Sequence, residues 1–412
     1  MPKGRFTSTP FPELRVSDIQ RLELIHLVEN YVEDYVNKYE EFVLVNQRNV
    51  DEHRWEHVKS KDKLHVYSER TRKELSRRGM QPETSLSATQ RVQAKAVTKE
   101  LPVVMSVGTF VGELDDLMFG VVNPTLDDMR IKASYVHDLE SAAVVCSVQE
   151  PSKDDPFRSL VIKWMTIDVP LPSSLIKSRD FVYVEATGVL HFANGEQVGY
   201  HLKHSIEFPE TKPRPNVIRA KMSYCGFYRQ VNSNVIDVFG TSTTVPGGDI
   251  RRFIANRVAT DSLLSTNNLV FCGQMKKMSW MLQQQRSVGL QRERSKNCVV
   301  CNKNTSSGIR GRFGKSTCKL CYGSVCFSCK IHWRISFIAP GEKLIQRKIA
   351  FCATCITRAS FCSAKKAARD QATGFRAYKA LSTASQSDTA EMSGFSADSH
   401  ADVADMLDWE CL

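Results

Sequence analysis

The sequence predicts an α+β chain in which a large antiparallel sheet bounded by helices is followed by a small cysteine-dense module. Three observations carry that expectation. Short apolar runs broken by turn residues fill residues 103–241, a long helical pattern follows them, and eight of the thirteen cysteines fall in four CxxC pairs inside 58 residues. With 412 residues, 42% of them apolar, the chain is long enough for two or three folded units. No run approaches 18 uninterrupted apolar residues, so no membrane-crossing helix is expected.

Residues 1–15, rich in Pro, Thr and Ser, are expected to lack order. From Val16 to about Val45 the apolar positions Ile19, Leu22, Ile25, Val28, Val32, Tyr35, Val36, Tyr39 and Phe42 recur at spacings of mostly three and four, which predicts an amphipathic helix packed on a core. Ser76 to Ser87, with Gly79 and Pro82, reads as a loop. Val103 to Val111 reads as a strand, followed by helical segments around Asp115 to Val122 and Leu126 to Val136. Further strands are expected at Ala142 to Gln149, Ser159 to Ile167, Asp180 to Leu190, Gln197 to Phe208, Val217 to Arg229 and Ser233 to Thr241, the spacing of a curved antiparallel sheet. A helix from Asp249 to about Gln284, capped by Asp249 after the Pro246-Gly247-Gly248 break, is expected to cover one face of that sheet.

The cysteine pairs are Cys298/Cys301, Cys318/Cys321, Cys326/Cys329 and Cys352/Cys355. Each pair brings two thiolates within reach of one tetrahedral cation, and eight sulfurs suit two closed structural zinc sites. Nothing like a cleaved secretory signal begins the sequence, so reduced, metal-binding thiols are expected in place of disulfides. The gaps between pairs are 16, 4 and 22 residues. Four residues are too few for the second and third pairs to wrap one ion, so alternate pairs should combine. Cys298, Cys301, Cys326 and Cys329 then hold one zinc, and Cys318, Cys321, Cys352 and Cys355 the other.

This spacing resembles the FYVE-type zinc finger over about residues 292–370. In that family a basic run leading into the third cysteine binds phosphatidylinositol 3-phosphate, and an apolar turret before it enters the bilayer. Here the run reads Gly314-Lys315-Ser316-Thr317-Cys318-Lys319-Leu320-Cys321, with Lys315 and Lys319 at two of the family's basic positions but without its histidines or first arginine. The upstream WxxD is absent, and Ala350 stands where the family has an arginine. RING fingers share the cross-brace, which keeps a ubiquitin ligase as an alternative, although they normally use a histidine among the middle ligands.

Charge is local. Residues 286–376 carry 19 Lys plus Arg against Glu293, Glu342 and Asp370, a net of +16 in a chain whose total is +11, whereas residues 377–412 carry −6. Arg310, Arg312 and Lys315 surround Ile309 and Phe313, which with Lys319 form a candidate surface for acidic headgroups. A solvated basic face and a nucleic-acid partner are the competing readings, the latter without a recognition helix or aromatic platform.

The order of elements over residues 16–285 resembles the START domain, a helix-grip fold enclosing one lipid. The stretch that carries the resemblance is Trp164-Met165, Pro170-Leu171-Pro172 and Ser178-Arg179-Asp180-Phe181-Val182-Tyr183. It implies an apolar cavity gated by the last helix, with Trp164, Arg179, Phe181, Tyr183, Phe227, Phe239, Phe253 and Ile254 as candidate lining. Arg179 and Asp180 are a candidate ion pair at its wall.

No catalytic arrangement stands out. Gly314-Lys315-Ser316-Thr317 lacks the earlier glycine of a phosphate-binding loop, and His53 and His57 enclose no HExxH. His201 and His204 would point to opposite faces of a strand. Cys146, Cys225 and Cys272 read as buried thiols, and Cys362 as a residue of a helix from about Ala353 to Ala372. The acidic tail, 377–412, is expected to be disordered and is a candidate docking segment for a partner or for the basic finger. The resulting expectation is a non-enzymatic, cytoplasmic lipid-binding or lipid-transfer protein that meets endosomal membranes peripherally through its finger. The alternative is an interaction adaptor with a vestigial pocket.

Overall fold

The computed structural model describes residues 9–80, 103–136, 141–167, 177–248, 250–287, 296–305, 316–339 and 341–374. The chain divides into two compact units, Met1–Val270 and Phe271–Leu412.

In the first unit α1 (Asp18–Glu40) starts at a capping box in which Ser17 and Gln20 satisfy each other's backbone N–H, and it ends in one π turn, Glu41–Val45. Its buried face is Leu24, Val28, Val32, Tyr35 and Tyr39, continued by Phe42. The predicted stripe starts too early, because Ile19 and Leu22 are 72% and 58% exposed. Residues 9–15, expected to lack order, contribute Phe11 and Leu14 to the same core, and Phe11 packs edge-on against Trp164 with ring centroids 6.2 Å apart.

Two short strands, β1 (Trp55–Lys61) and β2 (Leu64–Glu69), and a one-turn helix, α2 (Arg72–Arg77), follow. β1 is not legible as apolar periodicity, since six of its seven residues are exposed. After them come β3 (Val103–Val111), α3 (Leu114–Val121), α4 (Leu126–Tyr135), β4 (Ser141–Gln149), β5 (Ser159–Ile167), β6 (Arg179–His191) and β7 (Gln197–Ser205). The stretch expected as one strand from Val217 breaks at Ala220 into β8 (Ile218–Arg219), which pairs parallel with β6, and β9 (Lys221–Asn232). The last strand of the sheet is β10 (Val235–Val245).

Every pairing but that of β8 is antiparallel, in the order β1-β2-β3-β10-β9-β7-β6-β5-β4. Glycine sits at two close approaches, and at the first the neighbour is backbone that cannot give way. A Cβ on Gly108 would meet the carbonyl oxygen of Lys63 at 2.0 Å, and one on Gly199 would meet Met118 Sδ at 2.5 Å, where α3 lies on β7.

Alternation along the strands sorts the interior into two layers. Leu160, Ile162 and Trp164 of β5, Val182, Val184 and Ala186 of β6, and Cys225 and Phe227 of β9 face α1. The intervening residues, among them Met165, Phe181, Tyr183 and Met222, form a separate cluster on the other face. That face carries α5 (Arg252–Ser265), whose N-cap is Arg251; the expected cap, Asp249, lies outside the described residues. The single helix expected from there to Gln284 is two helices. Thr266 turns its hydroxyl back onto the Leu263 carbonyl at 2.6 Å, and α6 (Asn268–Ser287) begins after it.

In the second unit a short pair, β11 (Ser316–Thr317) and β12 (Ser324–Val325), precedes a hairpin of two ten-residue strands, β13 (Lys330–Ala339) and β14 (Lys343–Cys352). The helix expected from Ala353 to Ala372 is interrupted. α7 (Ala353–Phe361) stops at Cys362, and Ser363 Oγ accepts from Lys366 N to start α8, residues 364–374. Trp280 of α6 donates to Asp370 of α8 at 3.1 Å, and Lys277 Nζ to the Cys362 carbonyl at 3.1 Å. The acidic tail lies outside the described residues.

Candidate functional site

A cavity of about 120 Å³ lies between the sheet and α5. Met165, Ile167, Phe181 and Met222 line it from the strands, and Ile254, Val258 and Leu263 from α5. Its wall is largely apolar with a few polar groups, the composition of a pocket that buries a hydrophobic ligand. Arg179 sits on this wall and donates to the carbonyls of Pro246 and Gly247 at 3.2 Å each, and to that of Lys177.

Of the residues predicted to line the cavity, Arg179, Phe181 and Ile254 do so. Tyr183 shares their face but lies within the packed cluster around Met129. Trp164, Phe227 and Phe239 are on the opposite face, packed under Phe11, Tyr39 and Phe42. Phe253 is 63% exposed, because Ile254 and Ala255 take the inward positions of α5. Arg179 does not pair with Asp180, since adjacent strand residues point to opposite faces. Asp180 instead receives two hydrogen bonds from Arg219, at 2.9 and 3.0 Å, and one from Trp164 Nε1 at 3.1 Å.

A buried charged cluster adjoins the cavity and was not anticipated. Glu185 accepts from Lys163 Nζ and from His201 Nε2 at 2.6 Å, and Lys132 Nζ lies 3.7 Å away. Lys163 Nζ also donates to the Asn123 backbone carbonyl at 2.6 Å and to its side-chain oxygen. All four charged or titratable side chains are under 5% exposed. Burial opposes ionisation of Glu185, but Lys163, Lys132 and His201 together hold its carboxyl well below the usual carboxylate range. Burial pushes Lys163 down to about 8 and His201 to about 3. A signal for this cluster existed in the sequence: Lys163 within Val161-Ile162-Lys163-Trp164-Met165 and Glu185 within Val182-Tyr183-Val184-Glu185-Ala186 are charges inside otherwise apolar strands.

His204, three residues beyond His201, faces α1, as alternation requires. It bonds Ser223 Oγ at 2.8 Å and packs on Tyr31 with ring centroids 4.2 Å apart, and burial pushes it down to about 4. Both histidines are neutral in the fold and protonate in the unfolded chain below about pH 6.5. Their contribution is therefore complete above that pH and is lost as pH falls toward 4, at about 1.4 kcal/mol per pH unit for each. Urea unfolding followed by circular dichroism between pH 7.5 and 5 should show this slope, and His204→Gln should remove about half of it. An unchanged slope in the variant would contradict the assignment.

In the second unit the sulfurs of Cys298, Cys301, Cys326 and Cys329 lie within 4.8 Å of one another, and so do those of Cys318, Cys321, Cys352 and Cys355. Alternate pairs combine, as the short middle gap requires. The sulfurs are 3.7 Å apart for Cys301 and Cys326 and 3.9 Å apart for Cys321 and Cys352. A zinc–sulfur bond of roughly 2.3 Å gives a tetrahedral edge of roughly 3.8 Å, so each set can hold one metal ion. Knuckle geometry comes from the backbone. Asn302 and Tyr322 adopt φ of 57° each and donate to the Cys298 and Cys318 carbonyls at 2.9 and 2.8 Å. Val299 N donates to the Ser324 carbonyl and Lys319 N to the Ala350 carbonyl, tying the knuckles to the strands. Cys352 Sγ caps α7 by accepting from Cys355 N at 3.4 Å. Cys362 belongs to neither set. Ile309, Arg310, Arg312, Phe313 and Lys315 lie outside the described residues, and Lys319 is half-buried in the second knuckle.

A long antiparallel sheet with a cavity under a C-terminal helix is a helix-grip architecture, and the appended module is a small Cys₄ cross-brace. No family model matches the chain, and a search of curated proteins returns no match. Among solved structures, human STARD10 aligns at 11% identity and a TM-score of 0.37, over 61% of this chain and 84% of that one. Human StAR-related lipid transfer protein 5 aligns at 13% identity and 0.37, over 59% and 97%. The human StarD13 lipid transfer and protein localization domain aligns at 11% and 0.36, over 55% and 92%.

Proposed function

We propose that the first unit binds one hydrophobic lipid without chemical conversion and that the second, holding two zinc ions, directs it to a membrane or protein partner. The observation that carries this reading is the apolar cavity between the sheet and α5, lined by Met165, Ile167, Phe181 and Met222. Local basicity of +16 over residues 286–376 favours an anionic surface as the finger's target. Val299, Val300 and Phe327, exposed by 40%, 40% and 68% on the first metal centre, supply apolar contact beside it. By resemblance to the FYVE type, the headgroup is phosphatidylinositol 3-phosphate and the membrane is endosomal, met from the cytoplasm. Tethering would raise the cavity's effective concentration at its donor or acceptor bilayer.

The test is mass spectrometry of organic extracts of the purified full chain beside Ala259→Trp, which places an indole in the cavity from α5. The wild type should yield close to one equivalent of lipid, and the variant at least tenfold less with an unchanged melting temperature. Equal lipid in both would remove the cavity from the mechanism, and none in either would favour the adaptor reading.

A further inference from the structure

His201 makes only half of the hydrogen bonds open to its ring. It lines the cavity and is 2% exposed, with Nε2 held 2.6 Å from Glu185 Oε1. An uncharged imidazole donates from one ring nitrogen and accepts at the other, and a carboxylate only accepts, so Nε2 carries the proton and Nδ1 is left as the acceptor. That Nδ1 is buried without a hydrogen-bond partner among the described residues. A dry, unpaired acceptor is costly, and a proton donor in the cavity would relieve it.

What stands beside Nδ1 is fixed by the sheet. Register pairs His201 of β7 with Gly226 of β9, which brings no side chain to that face. Tyr224 and Tyr228, two residues to either side, share the face and close over the gap, so that a Cβ on Gly226 would meet both of their hydroxyls. The two hydroxyls lie 3.0 Å apart, and the Tyr224 ring stands edge-on to that of His201 with centroids 5.7 Å apart. Tyr224 lines the cavity, whereas Tyr228 is fully buried. One hydrogen bond between two hydroxyls uses one of their two protons, and with Tyr228 as donor the proton of Tyr224 is left for a group in the cavity. The wall thus offers one donor and one acceptor side by side. A single alcohol oxygen answers both, since it accepts and its own proton donates.

Resting on the lipid-binding reading above, we infer that the cavity selects an amphiphile with an uncharged hydroxyl at its head, which accepts from Tyr224 and donates to His201 Nδ1. The bonds then run in one direction, from Tyr228 through Tyr224, the ligand and His201 to Glu185, and members of such a chain polarise and strengthen one another. Met222 and Phe181 on the strands and Ile254 on α5 flank the tail of the ligand.

The experiment is displacement of a fluorescent alkyl probe from the delipidated full chain, with its zinc retained, by n-octanol and by its methyl ether. The ether is the more hydrophobic, so partition alone favours it, yet it has no proton to donate. Octanol should nevertheless bind more tightly by about tenfold or more, the cost of leaving a buried acceptor unpaired. His201→Phe should abolish that preference without weakening the ether, and Tyr224→Phe should reduce it severalfold, with thermal melting as the check that each variant folds. Where His201→Phe does not fold, Tyr224→Phe carries the test. Equal affinity for alcohol and ether would overturn the inference and leave lipid binding intact, with water as the partner of Nδ1. A preference that survives both substitutions would overturn the assignment to these residues. Displacement by neither ligand of a probe that Ala259→Trp excludes would overturn the inference alone; the same result with a probe that Ala259→Trp still binds would overturn the lipid-binding reading.

Discussion

Chelation of metal from the full chain is expected to unfold the cross-brace while the first unit keeps its sheet. The module has few apolar side chains to bury. Among the described residues Ile335, Phe351, Leu320 and Val325 are its large, nearly inaccessible ones, and β11 and β12 are two residues long each. Structural zinc contributes on the order of 10 kcal/mol per site in small fingers, more than such a core can supply. Elemental analysis should return two equivalents of zinc per chain, and Cys318→Ser should lower this to one or less. Hydrogen exchange after chelation should show loss of protection in β13, β14 and α7 with that of β5 to β10 unchanged. Protection of the hairpin that survives complete metal removal would refute a structural role.

The second large effect is expected at Glu185. Glu185→Gln leaves Lys132 and Lys163 facing each other in a site that excludes water, and breaking a buried pair in this way costs about 3–5 kcal/mol. Urea unfolding should shift accordingly, and Lys163→Met added to Glu185→Gln should restore part of the loss by removing one stranded charge. A shift under about 1 kcal/mol for the single variant would mean that solvent reaches the cluster.

The larger outlines of this molecule were legible because they rest on patterns longer than any local exception. The α1 stripe, the strand runs from Val103 to Val245 and the four CxxC pairs each repeat a simple spacing, and the metal wiring follows from a four-residue gap. What escaped was set by smaller differences. Resemblance and apolarity place Trp164, Phe227 and Phe239 in the cavity, yet a shift of one residue along a strand moves a side chain through the sheet, and these three fall on the α1 face. β1 escapes such a pattern because it has a bulge between His57 and Lys59 and an exposed, charged composition. The break at Thr266 depends on one hydroxyl competing for a carbonyl, a contest that periodicity does not register. Lys132 could not be tied to Glu185 from sequence, since the two are 53 positions apart and meet only after α4 has docked.

The composition that hid β1 also protects the protein. Among the described residues β1 is one of the sheet's two outer strands, β4 being the other, so one row of its amides and carbonyls faces no neighbouring strand. Glu56, Lys59 and Lys61 project from it, Lys59 held by Asp261 at 2.7 Å, and the bulge twists the ribbon out of register. A second chain approaching edge to edge would have to bury those charges and match an irregular ladder. The irregularity that obscured this strand thus acts as a guard against self-association into extended sheets.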